Sequence, residues 1–276
     1  MANVLSAEQR TAVVSALVEG NSLRATARMT GVARMTVEKL LRDLGAACMA
    51  YHDAHVRNLQ SKRVQADEIW SFCYAKKKSI QKDPSILERN PEAGDVWTWT
   101  AIDADSKLCI SWLVGSRDSH AAASFMRDIE SRLATRVQLT SDQLSIYLRA
   151  VDTAFRGAVD YAMLQKLYAG GQDGRYSPAE CIGCKKVVVT GDPDPRHIST
   201  SFVERQNLNM RMTMRRFTRL TNAFSKKVEM HAANVALHFM YYNFAKIHQT
   251  LRVTPAMEAG LSGHAWTVDE LVALIA

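Results

Sequence analysis

The chain has 276 residues, 47% hydrophobic and 23% charged, with a formal charge of +7 and a pI near 9.2. This composition excludes a disordered polyelectrolyte, and no apolar run approaches the roughly 20 residues needed to cross a bilayer. The basic excess favours a polyanionic partner, because clustered Lys and Arg gain free energy by displacing counterions from nucleic acid. A chain of this length can bury one substantial core and carry a smaller appended module. The N-terminus carries Glu8 and Arg10 and lacks the basic start and apolar stretch of a signal peptide, so a cytoplasmic protein with no membrane partner is expected. The five cysteines, Cys48, Cys73, Cys109, Cys181 and Cys184, are odd in number and scattered, which argues against a disulfide framework. Cys181 and Cys184 form the only CxxC. Structural zinc needs four ligands and only His197 lies close in sequence, so a turn with two thiols is the preferred reading.

Residues 6–44 read as three short helices. Ser6 with Gln9 fits a capping box, Ala12, Val13, Ala16, Leu17 and Val18 supply an apolar face, and Gly20-Asn21 ends the segment. Leu23, Ala27, Gly31, Val32, Val37 and Leu40 have helix-turn-helix spacing. A small residue lets the two helices approach, Gly permits the turn, and Val and Leu pin the second helix on the first. That second helix, expected over 33–43, would offer Arg34, Thr36 and Lys39 to a DNA groove. The same spacing also suits a three-helix unit that contacts protein. Residues 45–63 read as helix or linker, which predicts a DNA-binding domain and linker over 1–63.

From 64 onward the apolar period changes. Residues 64–74, 96–102 and 108–114 read as three antiparallel strands, the last two joined by the turn Asp103-Ala104-Asp105-Ser106-Lys107. An amphipathic helix follows over 119–133, with Ala122, Phe125, Met126, Ile129 and Leu133 on one face. Then come a strand from Val137, a helix over 144–155, a strand at 158–162, a polar Gly-rich surface loop at 169–180 and an extended strand at 185–190. After Pro193 and Pro195 the pattern predicts two long helices, 199–220 and 223–247, a stop at Thr254-Pro255 and a short helix over 268–275. The layout is α/β: a mixed sheet with flanking helices over 64–250, preceded by the small all-α domain and followed by a helical tail over 251–276.

Three carboxylates are singled out by where they fall. Asp67 lies in the strand-like Val64-Gln65-Ala66-Asp67-Glu68-Ile69-Trp70-Ser71-Phe72, and Asp142 follows the strand-like Val137-Gln138-Leu139-Thr140-Ser141. Glu204 heads the helix-like Glu204-Arg205-Gln206-Asn207-Leu208-Asn209-Met210-Arg211, and from Arg205 to Val228 the chain has seven basic residues and no acidic one. Strand Asp, strand-end Asp, helix Glu is the order expected of a two-metal nuclease of RNase H type. Two divalent ions about 4 Å apart can activate an attacking oxygen and stabilise a departing one. Mg²⁺ or Mn²⁺, two per site, suits carboxylate and phosphate oxygens. Asp67 would bridge the ions, Asp142 would bind one and Glu204 the other. Strand alternation turns Glu68 to the opposite face and makes it the weaker ligand candidate. Asp103 and Asp105 are better explained by their turn. Asn207, Leu208, Arg211, Arg215 and Thr218 share a helical face with Glu204, so Arg211 and Arg215 can hold DNA phosphates.

Asp67-Glu68-Ile69-Trp70-Ser71-Phe72, Trp99-Thr100-Ala101-Ile102-Asp103, Ser141-Asp142, the Glu204–Arg211 run and Phe224-Ser225-Lys226-Lys227-Val228-Glu229 together resemble the bacterial DDE transposases of the insertion-sequence-one family. The resemblance spans residues 64–245, and the helix-turn-helix ahead of it is similar to that family's end-binding region. It implies an RNase H-like catalytic domain, a DDE triad at Asp67, Asp142 and Glu204, and a basic position seven residues after the Glu, here Arg211. The chain departs from many relatives in having no four-ligand zinc finger before the helix-turn-helix. Residues 76–95 look like an insertion, whose Lys76, Lys77, Lys78 and Lys82 touch DNA or merely solubilise it. Tyr242-Asn243, His248-Gln249-Thr250-Leu251 and Thr254-Pro255-Ala256 are more loosely similar to the end of integrase-type catalytic domains. The expected function is a transposase that binds its terminal inverted repeats and target DNA, cleaves and joins strands, and works as a homo-oligomer because two ends must meet. The rivals are a catalytically inactive DNA-binding repressor and another RNase H-like nuclease such as a junction resolvase.

Overall fold

Three helices open the chain in the computed structural model, which describes residues 5–168, 181–218 and 221–275: α1 (Ala7–Val18), α2 (Leu23–Thr30) and α3 (Arg34–His55). The capping box at Ser6 and Gln9 forms as its sequence requires. Gly31 ends α2 in the left-handed region at φ 68°, where a side chain is strained. The helix expected to stop near Asp43 instead runs for 22 residues, because Leu44, Gly45, Cys48 and His52 extend its buried face. That face packs on a later helix, α9 (Val228–Met240), whose Ala233 backbone comes so close that a Cβ on Gly45 would sit 2.6 Å from it. Gly45→Ala should therefore destabilise the protein by about 1–3 kcal/mol through overpacking. A thermal melt checks this; an unchanged melting temperature would mean that the two helices do not cross there.

A six-stranded mixed sheet follows, in the order β3-β2-β1-β4-β5-β6. Its strands are β1 (Arg63–Cys73), β2 (Gly94–Asp103), β3 (Cys109–Gly115), β4 (Val137–Asp142), β5 (Val159–Tyr168) and β6 (Cys181–Thr190). β1, β2 and β3 form an antiparallel meander, β1, β4 and β5 run parallel, and β6 closes the edge antiparallel to β5. The parallel strands are connected through α6 (Ser119–Arg132) and α7 (Ile146–Phe155). This arrangement is compatible with an RNase H-like fold. Alternation along β1 feeds two apolar layers. Val64 and Ala66 join Trp99, Phe125 of α6 and Tyr147 of α7 on one face. Ile69 packs on the other face against Val203 and Met210 of α8 (Ser201–Thr213) and Phe239 of α9 (Val228–Met240).

The N-terminal helices share the larger of these layers. Val13, Val37 and Leu41 lie in the same buried cluster as Trp99 and Leu139, together with Leu271 and Val272 of the terminal helix α11 (Val268–Ala273). The two ends of the described chain pack on each other, with Thr11 donating to Asp269 at 2.5 Å.

Several boundaries differ from expectation. The helix expected over 199–220 ends at Thr213, because Met214 turns extended and sends Met214 and Phe217 into the layer around Ile69. Arg216, between them, is half-buried and donates to Asn234 and Ser225. The next helix begins at Val228 and ends in a π turn over Tyr241–Ala245. In that turn Asn243 clamps the backbone of Cys109 on edge strand β3, accepting from its N–H and donating to its carbonyl at 2.9 Å each. Such a clamp occupies backbone groups that an edge strand otherwise exposes. The insertion after β1 folds as two short helices, α4 (Lys77–Lys82) and α5 (Ser85–Arg89), and Thr254 caps the short α10 (Pro255–Glu258). β5 and β6 are longer than expected, and the loop expected at 169–180 lies outside the described residues. Cys181 and Cys184, expected in a turn, both stand exposed on β6. No helix among the described residues is long and apolar enough to cross a membrane.

Candidate active site

The site forms where β1 outruns β4. Their pairing ends at Ala66 opposite Ser141, so Asp67 stands level with Asp142, the last residue of β4, and Glu68 is the first residue beyond it. Beyond that point β1 keeps β2 on one side, but on the β4 side no strand separates its two faces. Among the described residues, one oxygen from each of Asp67, Glu68 and Asp142 lies within 4.8 Å of the others. Glu68 does leave β1 on the face opposite Asp67, as alternation requires, yet it belongs to the group; its dismissal as the weaker ligand candidate is corrected by the open strand end.

Each carboxylate is oriented by neighbours. Asp67 accepts from the Glu68 N–H at 2.8 Å and from the Asn207 side-chain amide of α8 at 2.8 Å. Glu68 accepts from Arg117, Nε at 2.7 Å and Nη2 at 2.5 Å, and from the Tyr147 hydroxyl at 2.9 Å. Asp142 accepts from the Leu144 N–H at 3.1 Å. Gln65, two residues before Asp67 and on its face, accepts from the N–H groups of Phe202 at 2.8 Å and Val203 at 3.2 Å. This contact seats the first turn of α8, and with it Glu204, against β1. Glu204 is not part of the tight group: it accepts from Thr200 at 2.5 Å and pairs with Lys166 of β5.

The electrostatics are those of an acidic pocket only partly compensated by Arg117 and Lys166. Burial first, then the neighbouring charges of Glu68 and Asp142, push the Asp67 carboxyl up to about 7. Burial raises Glu68 too, against the pull of Arg117, and burial is the main cause of the rise at Asp142. Glu204 adds to the negative field on both aspartates. An all-oxygen donor set of this kind fits a hard divalent cation. So does the side-chain oxygen of Asn207, which is buried beside Asp67 without a hydrogen-bond partner among the described residues.

Of the residues expected to meet DNA, Arg34, Thr36 and Lys39 lie in the first two turns of α3, with Arg34 paired to Glu38 at 3.5 Å and Lys39 to Asp43 at 2.6 Å. Arg34 and Arg215 come together on one cleft of about 970 Å³ between the N-terminal helices and the segment after α8. Arg24, Arg216, Lys226 and Lys227 line it too, and among the described residues that line it Glu38 is the one acid. Lys39 points elsewhere on the surface, and Arg211 stays on α8 two turns beyond Glu204. Asp103 is confined to its turn, accepting from the N–H groups of Asp105 and Ser106 and from Ser61. Sequence reasoning missed Arg117, Tyr147, Gln65 and Lys166. Gln65 carried a usable signal, a polar residue two positions from Asp67 in an apolar strand; the others come from distant elements. Comparison with protein-family models gave no match, and comparison with curated proteins gave none either.

Proposed function

We propose that the chain is a cytoplasmic DNA transposase that binds the terminal inverted repeats of its own element, cleaves the ends and joins them to target DNA by phosphoryl transfer. The observation that carries this reading is the convergence of Asp67 and Asp142 where β4 ends, with Glu204 on the adjoining helix and a basic cleft past that helix's C-terminal end. The resemblance to insertion-sequence-one DDE transposases points the same way. Asp67, Asp142 and, with its Lys166 pairing released, Glu204 would hold Mg²⁺ or Mn²⁺, with Glu68 as a fourth carboxylate within reach. Bound there, such ions supply activation of the attacking hydroxyl and neutralisation of the departing oxygen.

The protein's own groups do the positioning. Asn207 fixes the Asp67 carboxylate, Arg117 and Tyr147 fix Glu68, and the Gln65 contact sets the height of Glu204 above β1. Residues 1–63 recognise the repeat through α2 and the start of α3, and Arg34 with Arg215 leads the backbone along the cleft toward the carboxylates. A homo-oligomer brings two ends together. The test is incubation of a labelled repeat end with unlabelled target and Mg²⁺ or Mn²⁺. Joined, strand-transferred products support the transposase. Cleavage without joining identifies a simple nuclease such as a resolvase, and binding without either identifies a repressor.

A further inference from the structure

An aromatic row borders the carboxylates on the Glu68 side of the sheet, and the chemistry above makes no use of it. Alternation puts Trp70 and Phe72 on the face of Glu68, and Trp97 of β2 is the cross-strand partner of Trp70. The Trp70 and Phe72 ring centroids are 5.7 Å apart, and Phe72 stacks on Phe224 at 4.9 Å with 29° between planes. Cations are interleaved with these rings. The Lys76 ammonium is 5.8 Å from the Trp70 ring and 5.4 Å from Phe72, the Arg117 guanidinium is 4.5 Å from Trp97, and the Lys226 ammonium is 4.0 Å from Phe224.

The row is not core. Trp99, one pleat along β2 from Trp97, is fully buried against Phe125 and Tyr147, whereas Trp70 is 36% exposed. A bare aromatic surface would suit an apolar partner, but one threaded with Lys and Arg suits a strand whose bases stack while its phosphates meet the cations. The row also touches the acidic group directly, because Arg117 both stacks on Trp97 and holds Glu68. At a strand rise of about 3.3 Å per residue, Trp70 stands about 7 Å from Glu68 along β1. At its far end Phe224 lines the basic cleft that holds Arg34 and Arg215.

We propose that Trp70, Phe72 and Trp97 form a stacking platform for unpaired bases of a DNA strand, with Lys76, Arg117 and Lys226 meeting its phosphates. This rests on the phosphoryl-transfer reading for the class of substrate and deepens it: the strand presented to the carboxylates is locally melted, not fully paired.

The test measures the affinity of the full chain, without divalent metal, for a fluorescent oligothymidylate and for a duplex of equal length. Trp70→Ala should weaken single-strand binding about tenfold, the scale of one lost base stack, and leave duplex binding unchanged. Trp70→Phe, which keeps an aromatic face, should restore most of the affinity. Because Trp70 is at the surface, both variants should melt like the parent chain, and the melt is recorded alongside. Unchanged single-strand affinity in Trp70→Ala, equal loss toward both ligands, or no single-strand binding by the parent chain would each overturn the platform. The reading it rests on fails separately: a selective loss in Trp70→Ala, in a chain that neither cleaves nor joins DNA with Mn²⁺, keeps the platform and removes the phosphoryl-transfer assignment.

Discussion

If the proposed function holds, Asp142→Asn should abolish metal-dependent cleavage, with a loss of at least about 10³-fold, while the variant should still bind repeat ends and melt at or above the parent temperature. The size follows from the several kcal/mol of charge stabilisation that a correctly held divalent ion contributes, at 1.36 kcal/mol for each factor of ten in rate. Asn preserves the shape of the side chain and its contact with the Leu144 N–H. What it removes is one negative charge from a pocket where three carboxylates already repel one another. Binding survives because the cations of the cleft, Arg34, Arg215 and Lys227 among them, belong to other elements. Asp67→Asn should behave alike. The measurement is product formation on a labelled end over a range of Mn²⁺ concentrations, with binding followed in parallel. Cleavage within tenfold of the parent rate by either variant would remove the carboxylates from the chemistry.

The second large effect is the coupling of stability to pH and metal. With its carboxyl raised to about 7 in the folded chain, against an ordinary value near 3.8, Asp67 binds more protons folded than unfolded between about pH 4 and 7. Its contribution to stability therefore falls as pH rises through that window and is flat above it. Three buried histidines act in the opposite direction. Burial pushes His52, His231 and His238 down to about 3, so each costs stability as pH falls below its unfolded value near 6.5. The carboxylate contribution is accordingly read as the difference between the parent chain and Asp67→Asn. In metal-free buffer the variant should be the more stable by about 1–3 kcal/mol at pH 8, and the gap should shrink toward pH 4. Mn²⁺ at a hundred times its dissociation constant should stabilise the parent chain by about 2.7 kcal/mol and the variant much less. A gap that does not change with pH would show that Asp67 titrates normally and is not held in an acidic pocket.

The order of elements was largely legible because the polar and apolar periods change cleanly at residue 64, and the meander, the α6 face and the capping box at Ser6 followed from local pattern alone. The long final helices were not, since the break at Met214 is set by where Met214 and Phe217 can be buried, a tertiary fact that helix periodicity does not encode. The length of α3 was hidden for a related reason: only the partner helix explains a Gly at position 45. Asp67 and Asp142 could be paired from their positions in strands. Alternation held for Glu68, but it does not separate the two faces where β4 ends level with Asp67, so opposite-face Glu68 still reaches the group. The pairing of Glu204 with Lys166, and the hold of Arg117 on Glu68, join segments dozens of residues apart with no motif to announce them.

Anomalous scattering from crystals soaked in Mn²⁺ tests the central claim most directly. The arrangement of carboxylates predicts manganese between Asp67 and Asp142, with Glu204 turned away from Lys166 and onto an ion. Crystals in which Mn²⁺ leaves this pocket empty, with Glu204 still paired to Lys166, would contradict it.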